Sequence, residues 1–334
     1  MRKCFALLMI LLTSFGLLFA QGSAEKSSVA TNGKTQKKYV IKLANTQGEK
    51  DTQSIGLFEV AKRLNASGMF DAQVYTSSSL GDTDDITEQA IAGAPVLTVS
   101  DPGRLMSYVH DFGVIQMPYL FTDAAVLDKL VNTDVYKSWE KDFEKDGIKL
   151  ITSNWYNGPR NFVCNKQIDT PADLKGQKIR TIGSELFVDS VNAMGAVATP
   201  MAWSEVYSGI QQGAIDGAEV QTPASYATRL YEICKYTNKT EHFQLVGCVV
   251  MGTNVFNSWS KEAQDFFVKT FREVGTENRK MVNDYIKNYE TDMAKKGMII
   301  HEVDKAPFIE AVQPIYDKLG YTQLAKTLKA DLAK

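Results

Sequence analysis

The sequence predicts an α/β protein of two similar domains with one long helix lying along both. Segments of alternating apolar residues take turns with segments whose apolar residues recur every three or four positions. That series pauses near Arg160 and starts again, as a second domain would. Near the C-terminus one amphipathic stretch continues for about 36 residues, or about 54 Å at 1.5 Å per residue. That is farther than one domain of this size needs.

The chain opens with Met1-Arg2-Lys3, a mostly apolar run over residues 5–20, and Gly22-Ser23-Ala24. A basic start, an apolar middle and small residues at the cleavage spacing read as a secretory signal peptide over residues 1–24. The run falls short of the roughly 20 residues a spanning helix needs, and Thr13, Ser14 and Gly16 interrupt it, which argues against an anchor. Cys4 stands at the front of the run, where it is badly placed for lipid attachment. Residues 25–38 are rich in Ser, Thr, Asn and Lys and carry too little apolar surface to offset the entropy of ordering them; they read as a disordered tail.

A first strand is expected at residues 39–44, followed by a helix through Ile55, Phe58, Ala61 and Leu64. Strands at 72–75, 96–99 and 148–152 alternate with a helix at 84–92 and a long helix through Leu127, Leu130, Val135 and Trp139. Such a βαβ order predicts a mainly parallel sheet covered by helices. The second series has strands at 161–164, 178–182 and 218–221 with helices around 187–194, 205–212 and 226–234. A strand-rich stretch at 243–253 then leads back toward the first sheet, and two crossings make a hinge. The expected division is 39–157 plus about 246–285 for domain I, and 158–245 plus about 286–334 for domain II. The long helix begins after Ser260 as N-cap, carries Ala263, Phe267, Phe271, Val274 and Val282 on one side, and ends at Gly297. Gly275 and the lack of a strict heptad speak against a coiled coil.

Composition narrows the function. Of 37 basic and 39 acidic residues, Arg2 and Lys3 lie in the leader, so the mature chain carries 35 against 39. That balance points away from nucleic acid and from anionic membrane surfaces. Cys164, Cys234 and Cys248 follow no CxxC pattern and read as packing residues, although one pair could bridge in an oxidising compartment. His110, His242 and His301 are too scattered for a short metal motif, and GxSxG, Walker A and GxGxxG are absent. No catalytic residue, metal or cofactor is expected.

Arginine remains, in unusual surroundings. Arg180 ends an apolar strand beside Ile179 and Ile182, and Arg160 follows Tyr156-Asn157-Gly158-Pro159 at the crossing. A guanidinium fork can grip a carboxylate through two parallel hydrogen bonds. Surface or salt-bridged arginines fit the same pattern equally well.

Here three segments carry a resemblance. Leu174-Lys175-Gly176-Gln177-Lys178-Ile179-Arg180 is followed by Ala198-Thr199-Pro200-Met201-Ala202-Trp203-Ser204-Glu205-Val206-Tyr207 and by Gly213-Ala214-Ile215-Asp216-Gly217-Ala218-Glu219. Ser77-Ser78-Ser79-Leu80-Gly81-Asp82 and Met117-Pro118-Tyr119-Leu120-Phe121 add two more. In this order they resemble the DctP-type substrate-binding proteins of TRAP (tripartite ATP-independent periplasmic) transporters, across nearly all of the mature chain. The resemblance implies a periplasmic, two-domain clam-shell architecture that captures a small organic carboxylate (a C4-dicarboxylate, sugar acid or keto acid) in an interdomain cleft. It also implies delivery to a small and a large membrane subunit, by a monomer and without enzymatic turnover. By resemblance Arg180 is the principal clamp, Arg160 a second contributor and Trp203 an aromatic wall, the alternative for Trp203 being a core residue. Asp101 and Arg104 match a segment that touches the rest of the ligand, though Asp in a Pro-Gly turn also caps backbone. Asn45, after the first strand, completes the expected set. The chain departs from the family after Glu219, where it has Val220-Gln221 instead of asparagine, which leaves Gln221 as a substitute contact. A binding protein of an ABC importer or sensory system shares the clam-shell logic, and a secreted carboxylate-processing enzyme is the reading from another class.

Overall fold

A computed structural model of the chain describes residues 38–333. The leader and, but for its last residue, the polar tail lie outside the described residues.

Among the described residues nine strands form one mixed sheet, in the order β2-β1-β3-β8-β4-β7-β5-β6, with β9 pairing β8. The first half of the chain supplies β1 (Tyr39–Ala44), α1 (Thr52–Ala66), β2 (Phe70–Tyr75), α2 (Thr83–Ile91), β3 (Val96–Ser100) and α3 (Pro102–Leu105). There follow a 3-10 segment at His110–Gln116, α4 (Val126–Leu130), α5 (Asp134–Lys145) and the long β4 (Ile148–Cys164). Next come β5 (Lys178–Thr181), α6 (Glu185–Ala193), β6 (Val197–Pro200), α7 (Val206–Gln211), β7 (Gly217–Gln221) and α8 (Thr222–Ala227). The chain closes with β8 (Tyr236–Gly252), α9 (Thr253–Asn257), α10 (Lys261–Lys295), β9 (Ile299–Glu302), α11 (Ala306–Lys318) and α12 (Thr322–Ala333).

The expected mainly parallel sheet needs correction. Strands β1, β2 and β3 are parallel, as are β5, β6 and β7. The pairings that join these two half-sheets, β3 with β8, β8 with β4 and β4 with β7, are all antiparallel. Strands read as short pieces at 148–152 and 161–164 are one strand of 17 residues, β4, and β8 is equally long. Gly158-Pro159, which the sequence reading put at the crossing, is absorbed within β4 by a register irregularity between Tyr156 and Pro159, where Gly158 adopts φ 102°.

Two helix expectations also change. The expected helix through Leu127 and Trp139 is two helices, because the Thr133 side chain accepts from the Tyr136 amide and caps a new start. The helix expected at 226–234 ends at Ala227, and only a 3-10 turn follows before β8 begins at Tyr236.

The 35-residue α10 does run along both half-sheets. Ser260 caps it by accepting from the Ala263 amide at 3.2 Å. Its Phe267, Phe271 and Val274 pack with Leu43, Leu57 and Val249 on the β1–β3 side, Val282 joins the large core around Phe112 and Tyr136, and Met293 packs with Val206 and Ile215 near β7. Cys164, Cys234 and Cys248 are free and buried. No described helix is long and apolar enough to cross a membrane.

Candidate functional site

The carboxyl ends of both half-sheets point at one place. Beyond β1 come Asn45, Thr46 and Gln47; β3 ends at Ser100 and is followed by Asp101; β5 carries Arg180 next to its last residue; Trp203 follows β6 and Gln221 ends β7. In open α/β sheets such ends frame the ligand crevice, because loops and helix starts there leave backbone and polar side chains free. A cavity of about 50 Å³ lies at this point.

Six of the seven expected residues, Arg180, Arg160, Trp203, Asp101, Arg104 and Gln221, line it. Asn45 does not. It is buried behind the cavity wall, where its amide donates to Ser54 Oγ at 3.1 Å and ties the β1 loop to α1. Sequence reading missed Gln47, Gln53, Thr83 and Ser100, which also line the cavity. Their signal was positional, since each ends or follows a strand or opens a helix, and no residue type marked them.

The arginines are held differently. Arg160 on β4 is 3 % exposed and has four of its five N–H groups engaged: Nη2 donates to Glu219 Oε1 at 2.7 Å and to the Glu219 carbonyl at 2.8 Å, Nε bonds Glu219 Oε2, and Nη1 donates to Gln221 Oε1 at 3.0 Å. Burial alone would push the Glu219 carboxyl up, but Arg160 and His242 together outweigh it and hold Glu219 at about 2. Thr181 adds a hydroxyl bond to Glu219 at 2.7 Å. His242 lies beneath, stacked on Phe162 at 4.5 Å, with Nδ1 engaged by Thr240 and Nε2 3.7 Å from Glu219. Burial lowers the His242 pKa, with the neighbouring Glu219 opposing it.

Arg180 is the opposite case. It is 2 % exposed, its Nε donates to the Met201 carbonyl at 2.9 Å, and its guanidinium lies 5.2 Å over the Trp203 ring. Neither terminal nitrogen has a hydrogen-bond partner among the described residues. Burial first, and the neighbouring Arg160 charge second, push its pKa down to about 9. Glu219 and Asp82 offset this only in part and neither bonds the guanidinium; a cation buried without a directly bonded counter-charge is costly, and the open fork is matched by a carboxylate. Trp203 fits both of its readings, packed with Val206 and Ile210 while one face meets Arg180.

Arg104 is paired: its Nε is 3.3 Å from Asp101 Oδ2 and Nη1 bonds Asp84. Asp101 also caps α3, accepting from the Arg104 amide at 3.0 Å, so the local capping role and the cavity position coincide. Burial raises the Asp101 pKa, with Arg104 partly opposing.

Two half-sheets that present their carboxyl ends to one polar, arginine-rich cavity describe a solute-binding protein. The sequence model for the bacterial extracellular solute-binding proteins of family 7, DctP, matches residues 43–323, and the chain belongs to that family. Among curated relatives, the C4-dicarboxylate-binding periplasmic protein DctP of Vibrio cholerae is 25% identical over 300 residues, covering 88% of this chain and 90% of that protein. A TRAP periplasmic solute-binding protein of Actinobacillus succinogenes, crystallised with L-galactonate, is 29% identical and superimposes with a TM-score of 0.84 over 88% of this chain and 99% of the other. A counterpart from Escherichia fergusonii in an apo open structure is 30% identical and gives 0.75 over 87% and 99%.

Proposed function

We propose that this chain captures a small organic carboxylate in the cavity between two lobes and delivers it, outside the cytoplasmic membrane, to the small and large membrane subunits of a TRAP transporter. Arg180 carries the reading: it is a buried cation whose terminal nitrogens have no partner among the described residues, in a cavity at the carboxyl ends of both half-sheets. The named relatives support it, one binding C4-dicarboxylates and one holding L-galactonate. In this reading the lobes are residues 39–157 with about 246–285, and 158–245 with about 286–334. They are joined by β4, β8 and α10, and the register irregularity beside Gly158 lies at the crossing. The better superposition on the ligand-bound neighbour than on the open one supports a closed arrangement here. A carboxylate bridging the lobes stabilises that state only through contacts the open state lacks. Arg160, with four of its five N–H groups taken by Glu219 and Gln221, forms a fixed wall with one Nη1 hydrogen to spare, and Trp203 backs the ligand.

The test is a thermal-shift and calorimetric screen of the mature protein against organic acids and matched neutral sugars. For a micromolar ligand, loss of a desolvated arginine–carboxylate pair, about 2 to 5 kcal/mol, weakens capture by tens to thousands of fold. Arg180→Ala should therefore lose the shift seen with the wild type. An Arg180→Ala protein that binds an acid as tightly as wild type would refute the clamp.

A further inference from the structure

We propose that the contact between Gly103 and Phe187 is the stop that ends lobe closure, and that these two are positioning residues for capture because the stop fixes the spacing of the cavity walls. The inference rests on the two-lobe carboxylate reading above.

The two residues sit on opposite sides of the proposed division. Gly103 is buried in the single turn of α3, between Asp101 and Arg104, which line the cavity from the first lobe. Phe187, on α6 of the second lobe, is fully buried. A Cβ on Gly103 would stand 2.5 Å from Phe187 Cε2 and 2.9 Å from its Cδ2. Non-bonded carbons pack at about 3.5–4.0 Å, so only glycine lets α3 come this near the ring. Within a helix alanine suits the backbone better than glycine does, so what Gly103 supplies is room.

Phe187 has little freedom to yield. Its ring meets Phe243 of β8 at 4.7 Å and 64°, and the Arg160 guanidinium lies 5.5 Å over its face. Arg160 is fixed in turn by Glu219 and Gln221. One ring therefore connects the Arg160 wall of the second lobe to the turn that carries Asp101 and Arg104 in the first. Around it Leu105 and Met106 of α3 share an apolar core with Ile182 and Leu186, and Ile182 reaches the cavity. Apolar attraction draws such surfaces together without direction. Hard contact between a packed ring and a backbone is what gives the approach an end point. A methyl group on Gly103 would hold the walls apart by about 1 Å, and hydrogen bonds that span both lobes weaken steeply at that displacement.

The test compares wild type, Gly103→Ala, Phe187→Leu and the double variant of the mature protein, titrated with L-galactonate and with succinate, with dissociation followed by stopped flow and closure by small-angle scattering. Gly103→Ala should weaken whichever acid binds wild type by about tenfold or more, mainly through faster dissociation, because the encounter is made with the open form. Its ligand-free melting temperature should match that of wild type, since the open form lacks the contact. In the Phe187→Leu background the same substitution should cost about threefold or less, because the shorter side chain makes room for the methyl group. Gly103→Val, bulkier than alanine, should lose more than Gly103→Ala, a graded result that needs no change at Phe187. Undiminished affinity in Gly103→Ala, an equal loss in both backgrounds, or no further loss in Gly103→Val overturns the stop, and if wild type contracts on binding the two-lobe reading survives. A lower ligand-free melting temperature for Gly103→Ala places the contact in both states and overturns the stop likewise. Wild type that contracts with neither acid overturns the two-lobe reading and the stop with it.

Discussion

Arg180 is a cation that the folded chain holds at a cost. Its pKa, pushed down to about 9 by burial and by Arg160, means that the fold prefers the neutral side chain. The penalty is therefore present throughout the range below pH 9 and is relieved only as pH rises from there toward the ordinary arginine value. Arg180→Met should consequently raise the melting temperature of the ligand-free protein by a few degrees, on the order of 1–3 kcal/mol, while removing the ligand-induced shift. A lowered melting temperature would mean that the guanidinium is compensated in a way its contacts do not reveal. Asp51 has the reverse sign. It caps α1 through the Gln53 amide at 2.8 Å and is approached by Asn157 at 3.3 Å, but burial dominates and raises it to about 7. A raised carboxyl contributes stability fully below its unfolded value, about 3.9, and loses it as pH climbs through about 7. Melting temperature should fall between pH 4 and pH 8 by an amount that Asp51→Asn removes, since asparagine caps as well; equal pH profiles for the two proteins would count against it. At this scale the charged members of the cavity were legible, because arginine and aspartate beside strand ends are rare enough to notice. Gln47, Gln53 and Ser100 were not, since ordinary polar residues acquire meaning only when the fold leaves them unpaired.

Gly275 shows how an element can be read correctly for the wrong reason. In sequence it argues only against a coiled coil. In the fold, a Cβ there would stand 2.6 Å from Asn154 Oδ1 and 2.6 Å from Trp155 Cδ1, so α10 lies against β4 at a separation only glycine permits. Trp155 is wedged from the other side as well, with Gly56 of α1 equally tight against it and its indole NH donating to the Phe271 carbonyl at 2.9 Å. Helix propensity alone would make Gly275→Ala stabilising by about 1 kcal/mol. Overpacking against a rigid indole and a buried strand costs about 1–3 kcal/mol, so the expected net effect is destabilisation, read as a lower midpoint in urea. A higher midpoint would show that α10 and β4 can separate freely. The helix was legible because a 35-residue apolar stripe has one physical explanation. Strands β4 and β8 were not, because they carry Gly158, Pro159 and several register irregularities. Local punctuation of this kind normally ends a strand, and only antiparallel pairing along the full length of both overrides it.

At the scale of the whole molecule the question is what holds the lobes together before and after a ligand arrives. Apart from the joining strands and α10, several polar contacts cross the proposed division: Lys129 Nζ donates to the Leu332 carbonyl at 3.2 Å, the Tyr316 hydroxyl to the Pro118 carbonyl at 2.7 Å, and the Tyr289 hydroxyl on the far part of α10 to the Lys50 carbonyl in the loop before α1 at 2.8 Å. Tyr289 is held for this by stacking on Tyr226 at 4.1 Å and 7°. Tyr289→Phe keeps the stack and deletes only this one of the bonds that span the lobes. A hydrogen bond of this kind is worth about 0.5–1.5 kcal/mol net, and all of it falls on the closed state if the open state breaks it. Affinity for the acid identified by calorimetry should then drop about two- to tenfold, almost entirely through faster dissociation, since the encounter is made with the open form and the cavity is untouched. Small-angle scattering should show the ligand-free variant shifted toward the more extended form, and saturating ligand should restore the wild-type radius. Unchanged dissociation with an unchanged scattering profile would place the Lys50–Tyr289 contact in both states, and the hinge would then have to lie elsewhere than at residues 157 and 285, because a bond that persists through opening cannot join bodies that separate.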